Sequence, residues 1–190
     1  MDRPAVQAHS TPDRVEKKDV RGLVLVDRDG TLIRDVPFLG EPSQVELLPG
    51  VGEGLAALQG AGFALALVTN QQGIGIGYLE TRQMIAVNQQ ILRLLRPNSV
   101  KIAKIYYCPH TAADDCGCRK PKSGMIDRAL GDFGVPAGRT FMIGDSPGDA
   151  EAGRAAGCRT VLIGDAPGEC DYRAADFSDA ARWIAAQSIE

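Results

Sequence analysis

The sequence has few aromatic residues, few histidines and no long apolar run. Aromatic side chains make up 5% of the 190 residues, and there are two histidines. The longest apolar runs, such as residues 63–68, have the length of a strand, whereas a bilayer span needs about 20 apolar residues. Residues 1–18 are polar and contain no stretch like the apolar part of a signal peptide. These absences predict a cytoplasmic protein with no membrane partner.

The charges show no excess of one sign in any part of the chain. Twenty-one basic and 24 acidic residues give a net charge of −3, and no basic stripe appears, so nucleic acid is not an expected partner. Hydrophobic residues make up 44%, which is enough for a core. We predict a flexible N-terminal arm at residues 1–20, one domain at residues 21–190, and a monomer.

Short apolar runs alternate with helical patterns along the chain. The predicted strands are residues 22–26, 63–68, 100–107, 140–143 and 160–163. The predicted helices are residues 50–60, 79–95, 124–133, 149–156 and 178–187. This alternation indicates the α/β class, with a doubly wound parallel sheet. Ligands bind such sheets beyond the carboxyl ends of the strands.

Polar side chains follow three of the predicted strands directly. Each short motif alone is common in turns and capped helix starts, but three of them after three buried strands indicate one site. A lysine in the loop before the fourth strand joins the set. Its members are Asp27, Asp29, Thr69, Lys120, Asp145 and Asp149. Carboxylates alone would repel a phosphate, whereas Mg²⁺ takes oxygen ligands and bridges to substrate phosphates, so we expect a magnesium site here.

Three cysteines and a histidine lie within eleven residues. They are Cys108, His110, Cys116 and Cys118. Three thiolates and one imidazole form a complete ligand set for a closed structural zinc site, whereas a catalytic zinc would keep an open position. The alternative is a chance cluster of buried cysteines beside a surface histidine.

The motifs together resemble a known superfamily. The segments DRDGT, VTN, RKP and GDSPGD are similar, in this order, to the four motifs of the haloacid dehalogenase-like (HAD) phosphohydrolases. The further segments LLPGV, TNQQGIGIGY and YYCPHTAADDCGCRKPKSGM resemble the heptose-bisphosphate phosphatases and their histidinol-phosphatase relatives. The resemblance covers residues 22–165. It implies a Rossmann-like core with a zinc-binding loop.

The resemblance assigns roles to the residues that match its motifs. It implies that Asp27 is the nucleophile and Asp29 the general acid and base. The Asp27 carboxylate, the Asp29 carbonyl and Asp145 would hold Mg²⁺, while Thr69 and Lys120 would bind the transferring phosphoryl group.

Five further residues receive less direct roles. Asp149 would orient Lys120 or a metal-bound water. The candidates for substrate contacts are Arg28, Asn70, Gln71 and Arg119, since arginine matches phosphate in bidentate fashion. The zinc loop comes directly before Arg119 and Lys120, and we expect it to aim both cations into the site.

The spacing of the motifs leaves no room for a large cap domain. We therefore expect an open site whose substrate is chosen by loops at residues 36–43, 71–78 and 111–119. The expected substrate is a small phosphorylated sugar, with a heptose 1,7-bisphosphate as first choice. Relatives commonly carry an arginine where this chain has Ile76, which weakens the case for a second phosphate.

Other functions remain open on the sequence. A histidinol-phosphate phosphatase shares the motifs and the zinc loop. A polynucleotide 3′-phosphatase would need a basic groove. A phosphomutase or a dehalogenase would also use the aspartate nucleophile, although a dehalogenase needs neither the second aspartate nor Mg²⁺. A zinc-stabilised interaction module would leave the set of acidic residues without a purpose.

Overall fold

The apolar runs of the sequence form one seven-stranded sheet in a computed structural model that describes residues 7–10 and 20–188. The strands are β1 (Gln7–Ser10), β2 (Gly22–Val26), β3 (Phe63–Asn70), β4 (Lys104–Cys108), β5 (Thr140–Gly144), β6 (Arg159–Ile163) and β7 (Tyr172–Ala174). Their order across the sheet is β1-β4-β3-β2-β5-β6-β7. The six strands from β2 to β7 are parallel, which confirms the predicted α/β class.

The two outermost strands were not predicted. At one edge β1 pairs antiparallel with β4, and at the other edge β7 pairs parallel with β6 over three residues. β1 falls within the predicted N-terminal arm, whose other residues up to 19 lie outside the described part of the chain. Both strands are too short to give a clear periodic pattern.

In the part of the chain that the structure describes, six α-helices accompany the sheet. They are α1 (Val51–Gly60), α2 (Gln72–Gly75), α3 (Thr81–Leu95), α4 (Gly124–Phe133), α5 (Pro147–Ala155) and α6 (Phe177–Ala185). The five predicted helices are confirmed to within two residues at each end, and only the single turn of α2 is additional. Among the described residues, none of these helices is long and apolar enough to cross a membrane.

Most of the core lies in two large apolar clusters, one on each face of the sheet, and a third cluster of three buried residues is smaller. β2 is buried at every position, and Val24 and Val26 belong to one cluster while Leu23 and Leu25 belong to the other. The first cluster includes side chains of α1, α3 and α6, and the second includes side chains of α4 and α5. Burial on both faces explains why the central strands are continuous apolar runs.

Between β2 and α1, and between β3 and β4, the chain has no room for an inserted domain. The described residues 27–50 contain one 3₁₀ turn as their only helix, and residues 71–103 contain α2, α3 and a second 3₁₀ turn. The prediction that no large cap covers the sheet is confirmed. The carboxyl edge of the sheet is therefore bordered by loops.

Helices α1 and α6 pack closely because α1 carries a glycine at their contact. A Cβ at Gly54 would lie 2.8 Å from Cδ1 of Phe177 and 3.3 Å from Cβ of Ala181. Real Cβ atoms do not approach a ring carbon that closely, so any side chain here forces the helices apart. The close contact brings α6 onto the same apolar cluster as α1.

We predict that Gly54→Ala lowers the free energy of unfolding by about 1–3 kcal/mol, because the added methyl group overpacks this contact. The matched control is Gly131→Ala in α4, where a Cβ would meet no atom within 4 Å. That change should stabilise the protein by about 0.5–1 kcal/mol through helix propensity. Urea unfolding of both variants measures the difference, and equal shifts would show that the α1–α6 contact has room for a side chain.

Candidate active site

The predicted site residues meet because β3, β2 and β5 are neighbours in the sheet. Asp27 follows β2, Thr69 and Asn70 end β3, and Asp145 follows β5, so all four lie at the carboxyl edge. The loop after β4 brings Lys120 to the same edge. The strand order, which the sequence does not state, places the aspartates that follow β2 between Thr69 at the end of β3 and Asp145 after β5.

Lys120 is buried between two carboxylates. Its Nζ lies 2.8 Å from Oδ1 of Asp27 and 2.5 Å from Oδ1 of Asp149, and it donates a hydrogen bond of 2.9 Å to the Val68 carbonyl. Burial alone would lower the pKa of Lys120, but the charges of Asp27 and Asp149 outweigh it and raise the pKa above its usual value. The ammonium group is therefore a permanent positive charge beside Asp27.

Asp149 is fully buried, and its contacts fix the position of Lys120. Its Oδ1 faces the lysine, while its Oδ2 accepts hydrogen bonds from the backbone N–H (3.1 Å) and the hydroxyl (2.5 Å) of Ser146. These bonds form a capping box at the start of α5. The carboxylate is thus engaged on both oxygens, as expected for a residue that orients Lys120.

Asp27 and Asp145 form a cluster of acidic groups that suits a cation. Carboxylate oxygens of Asp27, Asp145 and Asp149 all lie within 4.8 Å of one another. Burial, followed by repulsion from Asp149, raises the pKa of Asp27 to about 8, and burial raises the pKa of Asp145. Because ionisation of both is unfavourable in the protein alone, a divalent cation between them would relieve the repulsion. The donor set fits Mg²⁺.

Gly30 allows the turn after β2 to pack against Asp145. Its φ is +80°, and a Cβ there would lie 2.3 Å from Oδ2 of Asp145. On the other side of that carboxylate, the Thr31 hydroxyl donates a hydrogen bond of 2.8 Å to Oδ1. The motif glycine therefore brings the Asp27–Asp29 turn and Asp145 into contact.

The Asp29 carboxylate points toward β3. Its Oδ2 accepts a hydrogen bond of 2.9 Å from Nε2 of Gln71 and lies 3.5 Å from the Thr69 hydroxyl. Gln71 also donates to that hydroxyl at 2.9 Å. The predicted phosphoryl-binding threonine and the predicted general acid thus share one hydrogen-bond network, and Gln71 is a buried member of it.

Arg28 lies inside the protein. Its side chain is 1% exposed, and its guanidinium group bonds both oxygens of Asp29 at 2.9–3.2 Å. Its NH1 donates to Oδ1 of Asn88 at 3.1 Å. Arg28 was predicted as a substrate contact, and the geometry instead makes it a partner of Asp29. Asn88 was not predicted, although a polar residue on the apolar face of α3, next to Val87, was a signal for it.

The loop that carries Lys120 is attached to β3 by a reciprocal pair of hydrogen bonds. Nδ2 of Asn70 donates to the Lys120 carbonyl, and the Lys120 N–H donates to Oδ1 of Asn70, both at 3.1 Å. The Asn70 amide, predicted as a substrate contact, is therefore used to hold Lys120. Arg119 is half-buried, with NH1 3.5 Å from the His110 carbonyl.

The cysteine–histidine cluster lies at the end of β4. Three distances between its sulfur atoms are 3.2, 3.4 and 3.6 Å, and Nδ1 of His110 lies 3.3 Å from Sγ of Cys118 and 3.6 Å from Sγ of Cys108. A disulfide requires about 2.05 Å. A tetrahedral zinc with bonds of about 2.05–2.3 Å would place its ligands about 3.4–3.8 Å apart, close to these distances. The predicted ligands have thus come together in a geometry that fits zinc.

The cluster is connected to the active-site loop through the backbone. Burial raises the pKa of Cys108. Burial also acts to raise the pKa of Cys116, but hydrogen bonds from the backbone of Arg119 and from Cys118 outweigh it and lower the pKa. Cys116 therefore contacts the residue before Lys120. If the cluster became disordered, the neighbouring segment with Arg119 and Lys120 would become disordered too.

Three exposed apolar side chains lie in two of the loops predicted to choose the substrate. They are Phe38, Ile76 and Tyr78, and the rings of Phe38 and Tyr78 have centroids 5.2 Å apart. We call these three residues the apolar rim. Ile76 is 45% exposed, so the position where an arginine is expected does face solvent.

Comparison with known proteins agrees with this geometry. Residues 117–182 match the family model described as HAD-hydrolase-like. The D-glycero-β-D-manno-heptose-1,7-bisphosphate 7-phosphatase of Neisseria meningitidis serogroup A is 38% identical over 136 residues, which are 71% of this chain and 73% of that protein. The parallel strands, the DRDGT segment and the clustered carboxylates, together with these relatives, define a phosphatase of the HAD class.

Solved structures show the same class. The D,D-heptose 1,7-bisphosphate phosphatase of B. bronchiseptica, complexed with magnesium and phosphate, has a TM-score of 0.79 at 29% identity, covering 86% of this chain and 97% of that one. A HAD-like protein from Mesorhizobium loti has a TM-score of 0.84 at 27% identity, covering 100% and 98%. This chain belongs to the heptose-bisphosphate phosphatase family of HAD-like hydrolases.

The contacts of Lys120 predict opposite stability effects for its two partners. Asp149→Asn should lower the free energy of unfolding by about 3 kcal/mol, because it removes one countercharge of a buried cation. At pH values above about 4, and without added divalent cation, Asp27→Asn should instead raise the free energy of unfolding. The folded-state pKa of Asp27 is raised, so its ionisation opposes folding as the pH increases, and the amide does not ionise.

Urea unfolding at pH 7 measures both variants. Equal destabilisation of both variants would contradict the prediction that the Asp149 carboxylate stabilises the fold whereas ionisation of Asp27 opposes it.

Proposed function

We propose that this phosphatase removes the 7-phosphate of a heptose 1,7-bisphosphate by way of an aspartyl-phosphate, using Mg²⁺. The observation that carries the proposal is the approach of Lys120 to Asp27 at 2.8 Å, with Asp145 and Thr69 at the same edge of the sheet. This arrangement provides a nucleophile, a fixed cation and a hydroxyl around one phosphoryl group.

In the first step, an oxygen of Asp27 attacks phosphorus and the bond from phosphorus to the sugar oxygen breaks. Asp29 enters this step protonated, gives its proton to the departing sugar oxygen and becomes the ionised carboxylate that pairs with Arg28. Lys120 and the Thr69 hydroxyl hold the phosphoryl oxygens as charge develops on them. The products are the free sugar hydroxyl and phosphorylated Asp27.

In the second step, water attacks the phosphorus of the aspartyl-phosphate. Asp29, now ionised, takes a proton from this water, and the bond from phosphorus to Asp27 breaks. Inorganic phosphate leaves and both carboxyl groups return to their starting states. The bound Mg²⁺, held by Asp27, the Asp29 carbonyl and Asp145, would supply charge neutralisation that lets the carboxylate approach the phosphate.

The substrate is assigned from the relatives and from the loops. Relatives of this chain are heptose-1,7-bisphosphate 7-phosphatases. Arg119, half-buried beside Lys120, is the cation that we propose for the second phosphate. The other substrate-facing positions include the apolar rim, which offers aromatic and aliphatic surface to the sugar carbons.

A second candidate is a phosphatase for a monophosphate such as histidinol phosphate. The observation that favours it is the exposed Ile76 at the position where an arginine is expected. Without that arginine, a second phosphate has fewer partners in this loop. The cytoplasmic location and the monomeric state remain predictions from the sequence.

A panel of phosphate esters tests the proposal. We expect release of phosphate from heptose 1,7-bisphosphate to exceed that from heptose monophosphates and histidinol phosphate in kcat/KM. Asp27→Asn should reduce every rate by more than about 10³-fold, because the amide is a poor nucleophile, and Asp29→Asn should accumulate phosphorylated enzyme. Turnover within tenfold of wild type for Asp27→Asn would refute the covalent mechanism, and a preference for histidinol phosphate would favour the second candidate.

We propose further that Cys108, His110, Cys116 and Cys118 hold a structural zinc. The four ligand atoms form a closed set, and three of the residues come from the loop that presents Arg119 and Lys120. A thiolate site of this kind binds zinc tightly and leaves no position for substrate.

The two metals should therefore separate in an experiment. Dialysis against a weak chelator should remove Mg²⁺ and abolish activity reversibly, while elemental analysis should still find about one zinc per chain. Cys116→Ser should lower the melting temperature and raise KM by loosening Arg119 and Lys120. The matched control is Cys170→Ser, outside the cluster, which should change neither. Protein without zinc that is equally stable and active would contradict a structural metal site.

A further inference from the structure

We infer that Arg28 and Asn88 form a clamp that positions the Asp29 carboxylate for proton transfer. This inference rests on the proposed function, because it concerns the general acid of that reaction. Arg28 touches neither the nucleophile nor the phosphoryl site in the described contacts, and it acts through Asp29. It is therefore a positioning residue, and Asn88 positions it in turn.

The first argument is the burial of the Arg28 charge. A guanidinium group with 1% exposure is costly unless it is paired, and the countercharge it has is the neighbouring Asp29. Nε and NH2 contact both carboxylate oxygens at 2.9–3.2 Å, in the planar fork geometry that fixes direction as well as distance. We therefore infer that the buried guanidinium group of Arg28 serves to orient the Asp29 carboxylate.

The second argument is the polar residue in the apolar face of α3. Asn88 is fully buried, and the buried positions around it on the same helix are Met84, Val87 and Ile91. Its Oδ1 accepts from NH1 of Arg28 at 3.1 Å, and its Nδ2 lies 2.9 Å from the Met84 sulfur. The amide satisfies the one guanidinium nitrogen that Asp29 does not contact. Helix α3 thus holds the guanidinium group of Arg28 at the nitrogen that is not bonded to Asp29.

The third argument is the direction in which the clamp holds Asp29. Its Oδ2 receives Gln71 at 2.9 Å and lies 3.5 Å from the Thr69 hydroxyl, which is on the phosphoryl-binding strand. The carboxylate is thus held toward β3, on the side of Thr69, which would bind the transferring phosphoryl group. Proton transfer depends on this direction, and a displacement of about 1 Å can reduce a rate about 100-fold.

The test compares two leaving groups in single turnovers with enzyme in excess. A sugar alkoxide needs a proton as the ester bond breaks, whereas p-nitrophenolate leaves without one because its ring stabilises the charge. Release of sugar from its phosphate should fall about 100-fold in Arg28→Met and about tenfold in Asn88→Leu. Release of p-nitrophenol from its phosphate should fall less than about threefold in both variants.

Two further variants separate positioning from general damage. Asn88→Asp keeps an oxygen facing Arg28, so its ratio of the two rates should lie closer to wild type than that of Asn88→Leu. Thr140→Val removes a buried hydroxyl that bonds the Pro136 carbonyl at the opposite end of β5, and it should leave the ratio unchanged. If Arg28→Met does not fold, the ratio of the two rates in Asn88→Leu and Asn88→Asp tests the clamp instead.

If the variants release both leaving groups at equally reduced rates, or release both at the wild-type rate, the clamp is refuted and the proposed function stays intact. Failure of the wild-type protein to release phosphate from any sugar phosphate would instead overturn the proposed function itself.

Discussion

The active site depends on one buried cation between two carboxylates. Asp27, which follows β2, and Asp149, in α5, reach the same point, and Lys120 reduces the cost of the repulsion between their carboxylates. The lysine lowers this cost without removing it, since the pKa of Asp27 remains raised to about 8. The remaining cost is what makes the cluster receptive to a divalent cation. Stability and metal affinity are thus set by the same three side chains.

The position of Lys120 is determined by two attachments of its loop. The Asn70 amide holds the lysine backbone against β3 from one side. The cysteine–histidine cluster holds the preceding segment against the end of β4 from the other, and β3 and β4 are paired neighbours, with Asn70 opposite Cys108. The segment of this loop that carries Arg119 and Lys120 is therefore attached on both sides. This explains why a zinc-type cluster occurs in a protein whose core is already sufficient.

Much of this architecture could be predicted from the sequence because the relevant signals are local. Continuous apolar runs gave the central strands, and the polar residues that follow them gave Asp27, Asp29, Thr69 and Asp145. What could not be predicted depends on contacts between distant segments. Arg28 was predicted to contact the substrate, yet its buried side chain pairs with Asp29 and with Asn88 of α3, 60 positions away.

Asn70 and Gln71 show the same limit. Their residue types suit substrate binding, and only the fold reveals that one amide secures Lys120 and the other joins Asp29 to Thr69. The shortest strands, β1 and β7, gave no periodic signal and depend on the partners they pair with. Contacts that hold a side chain in place are therefore harder to predict from the sequence than the motifs that follow the strands.

The way the sheet ends has a consequence for self-association. An open strand edge exposes unpaired N–H and C=O groups and can recruit the edge of a second molecule. Here β1 runs antiparallel along β4 and occupies hydrogen-bonding groups of the strand that ends in Cys108. The opposite edge is the three-residue β7, which offers little length for another strand to pair with. β1 is itself four residues long, so both described edges of the sheet offer little length for pairing, which disfavours growth of the sheet from molecule to molecule.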